Sequence, residues 1–106
     1  MQKILIALFF LTGSAVLSFA VDAKAGHAAY DKSCKSCHGA SGTANPAIAK
    51  MMKVEMKDLG SPDVQSMDDS DLKKIITEGK GKMKPVKAMS GAAAEDVIAH
   101  MRTFKK

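Results

Sequence analysis

Beyond an apolar opening stretch, hydrophobic positions in this chain recur at three- and four-residue intervals, and no apolar/polar alternation lasts more than a few residues. That pattern predicts helices joined by loops. A first helix is expected from Gly26 to Cys37, followed by a loop over the Gly-, Ser-, Asn- and Pro-rich run from Gly39 to Pro46. Ala47 to Met56 can form a short helix, and Leu59-Gly60-Ser61-Pro62 reads as a turn. From Asp68 to Glu78 acidic residues occupy the first turn, Leu72, Ile75 and Ile76 sit at helical spacing, and Gly79 supplies the stop. Lys80 to Ala88 lacks periodicity and holds Gly81 and Pro85, so it is a loop. The last helix is expected to use Ser90 as its N-cap, to run through Ala92, Ala93 and Ala94, and to carry a stripe of Val97, Met101 and Phe104. The fold class is therefore all-α, with three to five short helices.

The apolar opening changes the size of the folding unit. Residues 4–21 carry no charge, follow Lys3 and end in the small-residue pattern Ser18-Phe19-Ala20, which is how a secretory signal peptide reads. Residues 1–20 are assigned to that signal and residues 21–106 to one exported domain, with the periplasm as its expected location. Cuts after Ala23 or Ala25 also satisfy a small-x-small rule. An uncleaved anchor is the alternative, since a run of this length lies at the lower edge of a membrane span. The Thr12-Gly13-Ser14 interruption and the Ala-rich exit favour removal, so no lasting membrane insertion is expected. No cysteine follows the run directly, which argues against a lipid anchor.

Removal of the signal leaves 86 residues, whose only aromatics are Tyr30 and Phe104. A chain that short is hard to stabilise with its own core and usually needs a staple or a filler. Its two cysteines, Cys34 and Cys37, are too close in sequence for a bridge between them to constrain much of the unfolded chain. Something else must occupy the interior.

Cys34-Lys35-Ser36-Cys37-His38 is C-x-x-C-H, the attachment signature of c-type haem. Two thiols one helical turn apart can each form a thioether with a haem vinyl group, and the next residue, His38, then lies under the iron as an axial ligand. A covalent haem c, one per chain, would also supply the missing core. A thioredoxin-like pair needs a βαβ context that is absent. A zinc site lacks a fourth ligand, and adjacent Cys and His rarely share one tetrahedral ion. A plain disulfide is the remaining rival.

With this motif in view, residues 26–106 resemble the class I cytochromes c, specifically the small single-haem bacterial type. Gly26 and Tyr30 look like the family's Gly and aromatic pair on its first helix. Asp71 to Met83 is similar to its third helix and methionine loop, and Asp96 to Arg102 to its C-terminal helix. The resemblance implies a cytochrome c fold wrapped around one haem. It also implies that Pro46 offers its carbonyl to the ring N–H of His38, orienting the ligand; read without the resemblance, Pro46 is an ordinary loop proline. His100 is expected to pack where the first and last helices cross, a place where the family often has an aromatic. His27 is expected to be solvent-exposed.

Residues 21–106 offer seven methionines for a sixth iron position. Methionines on helices are commonly gap-fillers. Met101 belongs to the stripe of the last helix, Met89 precedes the Ser90 cap and can staple onto Ala94, Met51, Met52 and Met56 share a short helix, and Met67 sits just before one. Met83 alone lies in an irregular loop flanked by Gly79 and Gly81. The resemblance implies the same choice, because the family's loop reads much like Gly-Lys-Gly-Lys-Met-Pro. Here Lys84 intervenes before Pro85, which keeps Met89 as second candidate.

Without Lys3 the chain holds 15 basic and 11 acidic residues. The charged residues of 58–78 are six acids against Lys73 and Lys74, whereas Lys80, Lys82, Lys84 and Lys87 surround Met83. Such a patch suits a redox partner with an acidic docking surface; nucleic acid is not expected for an exported protein with this motif. These features read as a monomeric, non-enzymatic, single-electron carrier with His38 and Met83 as axial ligands. The alternative is a haem-based gas sensor or peroxidase with an open sixth position, although no distal acid/base pair stands out.

Overall fold

The computed structural model describes residues 21–106. The signal-peptide assignment falls on residues 1–20, outside the described residues. Six helices follow one another: α1 (Ala23–Ser33), α2 (Lys35–His38), α3 (Pro46–Met52), α4 (Pro62–Gln65), α5 (Asp69–Glu78) and α6 (Ala92–Arg102). Among the described residues there is no strand, and one isolated antiparallel bridge pairs Lys80 with Met83. The all-α expectation holds, with six helices rather than three to five because α2 and α4 are single turns.

Local chemistry accounts for most boundaries and for the departures from the sequence pattern. α1 starts three residues before Gly26, where the Asp22 carboxylate accepts from the N–H groups of Lys24 and Ala25 at 2.9 and 3.1 Å. It ends at Ser33, and Cys34 both closes α1 and opens α2, so the expected single helix is broken inside the cysteine motif. No helix-breaking residue marks that point; buried Cys34 joins the core there. α3 begins on Asn45, whose side chain accepts from Ala47 N–H at 3.1 Å, with Pro46 in the first helical position. It stops at Met52, short of the expected Met56, because Lys53 turns left-handed (φ 54°). Pro62 nucleates α4 just past the predicted turn. α5 matches its pattern, from the Asp68 cap to Gly79. α6 departs at its start: the cap position is Gly91, with no side-chain cap bond, and Ser90 instead accepts the Ala93 N–H through its carbonyl at 3.2 Å.

The core is the crossing of α1 and α6, with α5 packed beside it. Gly26 is buried there so tightly that a Cβ would lie 1.8 Å from the Asp96 carbonyl oxygen. Removing that atom lets the two backbones touch. Tyr30, Val97 and Ala94 are fully buried around the crossing and Ile98 nearly so, and each such Val or Ile contributes about 1.5–3 kcal/mol. Tyr30 and His100 lie in edge contact with Phe104, at 5.2 and 5.0 Å between ring centres. His100 thus sits where the resemblance implied. His27 is exposed as expected, yet its ring also stacks on His100 at 4.3 Å. Arg102 joins α6 to the α4–α5 junction, donating to the carbonyls of Gln65 and Met67 at 2.9 and 2.7 Å and to the Asp69 carboxylate. No helix among the described residues is long and apolar enough to cross a membrane.

Two outcomes follow. Gly26→Ala should lower the stability of the protein in urea by about 3 kcal/mol through overpacking; a loss under about 1 kcal/mol would contradict the backbone contact. His100 is held below the ordinary histidine range by burial, then by neighbouring His27, with Asp31 acting weakly in the other direction. The unfolded chain therefore takes up a proton before the folded one as pH falls through about 6.5, and stability should decline below that pH. His100→Phe should flatten the urea midpoint between pH 7 and 5; an unchanged slope would remove His100 from the account.

Candidate functional site

α2 presents its residues to an apolar hollow. Cys34, Cys37 and His38 line a cavity of about 610 Å³ together with Ile48 and Met52 of α3, Val54 and Met56 beyond it, and the Lys80–Lys84 segment. A second cavity of about 250 Å³, walled by core residues such as Leu72, Ile76, Val97 and Met101, shares Cys34, His38, Lys80 and Met83 with the first. The shared residues make the two hollows one slot running from the core to the surface.

The segment after α2 is pinned back on it. Asn45 donates through its N–H to the Cys37 carbonyl at 2.9 Å and through its side-chain amide to the Ser36 carbonyl at 3.2 Å. Tyr30 donates its hydroxyl to the Gly39 carbonyl at 2.6 Å. Burial, followed by Cys34 and Asp31, pushes the Tyr30 phenol up to about 12, so it remains a donor at ordinary pH. The residue following His38 is thus tied to the α1–α6 core. Sequence reasoning did not assign these roles to Asn45 and Tyr30; for Asn45 the signal was available, as an Asn directly before a Pro that opens a helix.

The electrostatics of the slot follow from burial among apolar side chains. Burial, reinforced by the neighbouring Cys37, pushes the Cys34 thiol up to about 11. Burial also holds His38 below the ordinary histidine range, which keeps its imidazole neutral and able to offer a lone pair to a metal. Nδ1 of His38 is buried and has no hydrogen-bond partner. The partner implied by the resemblance is not in place: Pro46 is exposed at the start of α3, and no bond joins its carbonyl to the ring. As first helical residue, Pro46 directs its carbonyl into the α3 ladder.

The two candidate methionines separate. Met83 lines both hollows and is partly exposed, whereas Met89 lines neither and is buried in the core cluster that also contains Ala94. Met101 lies in the core as well, at the inner end of the slot. Met83 is held in a tight turn, its N–H and carbonyl paired with the carbonyl and N–H of Lys80 at 3.0 Å each. Gly79 (φ 80°) makes room for this turn, since a Cβ there would lie 2.6 Å from the Met83 carbonyl oxygen and 2.9 Å from Pro85. Lys80, Lys82 and Lys84 lie around the outer hollow; Lys87 does not line it.

Two thiols one turn apart, a neutral imidazole with a buried free nitrogen and an apolar slot of this size fit a c-type haem. Among the described residues no cluster of His, Cys, Asp and Glu could hold a bare metal ion instead. A family model described as cytochrome c oxidase, cbb3-type, subunit III matches residues 21–101. The solved KustC0563 c-type cytochrome superposes with a TM-score of 0.65 at 24% identity, over 76% of this chain and 98% of that one, which shows a common fold. No curated protein matches the chain. This chain is accordingly a c-type cytochrome, an electron-transfer haem protein belonging to the cytochrome c family whose model carries the cbb3-type subunit III description.

Proposed function

We propose that the protein is a periplasmic shuttle for single electrons, with one haem tethered through thioethers to Cys34 and Cys37 and held axially by His38 and Met83. When bound, the haem supplies a one-electron iron couple. The observation that carries the reading is that Met83 shares the walls of one slot with Cys34 and His38 while Met89 points into the core. The chain's own contribution is positional. Tyr30 fixes the backbone beside His38, Asn45 closes the following loop, and the Lys80–Met83 turn holds the thioether on the far wall. A neutral thioether opposite an imidazole raises the reduction potential relative to two histidines. Two protein ligands held in place leave little to rearrange between oxidation states, which suits a carrier rather than an enzyme.

Exposed lysines near the mouth of the slot would steer an acidic redox partner toward the haem edge. Lys80 and Lys84 make no ion pair among the described residues and are free to do so.

In the oxidised protein, a weak far-red sulfur-to-iron band should vanish in Met83→Ala and persist in Met89→Ala. The second variant should instead lose about 2–5 kcal/mol of stability, as expected for a buried methionine cut back to alanine. Rapid carbon monoxide binding by the reduced wild type would favour an open sixth position and the sensor or peroxidase reading. Electron-transfer rates to an acidic redox protein should fall as salt rises, and less steeply in a Lys80→Gln/Lys84→Gln double variant; equal slopes would rule out the docking role.

A further inference from the structure

The Lys80–Met83 turn faces a wall of the slot that is weakly attached. α3 has no buried residue, Met51 on it is 70% exposed, and the main helix pairings join α1 to α6, α5 to α6 and α1 to α2 without it. α3 ends where Lys53 turns left-handed and returns its N–H to the carbonyls of Ala49 and Lys50, which leaves the Met52 carbonyl at the open end of the helix. Lys82, at the tip of the turn, donates its ammonium to that carbonyl. Met52 and Lys82 both line the outer hollow, so the bond joins two segments of its lining. Among the described residues, no other hydrogen bond or ion pair joins the 46–57 segment to the 80–87 segment.

We propose that Lys82 is a positioning residue, a clasp that closes the slot by tying the Met83 turn to the end of α3. It is thereby set apart from Lys80 and Lys84: its charge is engaged within the molecule instead of offered to a partner. A cation at a helix C-terminus is favoured by the exposed carbonyls there, and a hydrogen bond from a charged donor is stronger than a neutral one. With the clasp released, the α3 wall and the Met83 turn have no polar link and can part, which admits small molecules to the haem face.

This inference rests on the haem reading of the slot, and the test separates the two. Lys82→Met, Lys82→Arg and Lys84→Met are prepared as haem-loaded proteins. Deuterium uptake is followed in peptides covering 46–56 and 79–87, and imidazole binding to the oxidised iron is timed. Lys82→Met should speed both uptake in the two segments and imidazole entry by about tenfold, Lys82→Arg should restore wild-type rates, and Lys84→Met should match wild type. Equal behaviour of Lys82→Met and Lys84→Met overturns the clasp. If the wild type lacks the far-red band, Met83 is not the ligand, and deuterium uptake alone still decides whether Lys82 holds the two segments together.

Discussion

The contact between the α1 and α6 backbones at Gly26 and Asp96 is the constraint on which the remaining geometry hangs. It sets the distance between the two longest helices, and so it determines how deeply Tyr30 is buried beside Val97, His100 and Phe104. Tyr30 in turn carries the tension of the core to the site, because its hydroxyl grips the carbonyl of Gly39, the residue after His38. A rigid crossing thus positions the backbone next to a histidine whose Nδ1 makes no hydrogen bond of its own.

The opposite wall of the slot is organised differently. Where α1 and α6 are held by apolar burial, the Met83 turn is held by backbone pairing with Lys80, by the space Gly79 leaves for the Met83 carbonyl and Pro85, and by the Val86 N–H bonded to the Ile76 carbonyl at 2.9 Å. The α3 wall has even less burial. One side of the slot is therefore stiff and the other is held by few polar contacts, an arrangement consistent with a protein that must first receive a large cofactor and then close around it. The small core is less a defect than a consequence, since the haem of a c-type cytochrome takes volume that aromatic side chains would fill in a domain of this size.

Much of this was legible in the chain itself. The periodicity of Leu72 and Ile76 and of Val97 and Met101 marked the two helices that carry most of the core, because apolar spacing is a local property that survives into the fold; Phe104, expected on the same stripe, lies past the end of α6 at Arg102 and packs against the core from there. The motif Cys34 to His38 marked the site for the same reason: its chemistry depends on spacing within one turn. Helix ends were less legible. Lys53 ends α3 in a left-handed conformation that its residue type does not announce, and α1 breaks at Cys34 although no Gly or Pro stands there. Gly91 displaces Ser90 as the cap of α6 because the backbone, not the hydroxyl, makes the turn.

By itself, then, the sequence determined the helical class, the C-x-x-C-H signature of a c-type cytochrome and a short set of methionines to weigh, all of which follow from residue type and near-neighbour spacing. Only the tertiary structure placed those methionines in space. Met83 and Met89 are six residues apart and chemically identical, yet the turn at Lys80 sends one to the slot while the α6 junction sends the other into the core. Pro46 and the His38 ring are likewise near in sequence, but the start of α3 commits the proline carbonyl elsewhere. Lys82 and Met52, thirty residues apart, meet only because the end of α3 and the Met83 turn come together. Contacts of that kind depend on how separate segments pack, which no local pattern encodes.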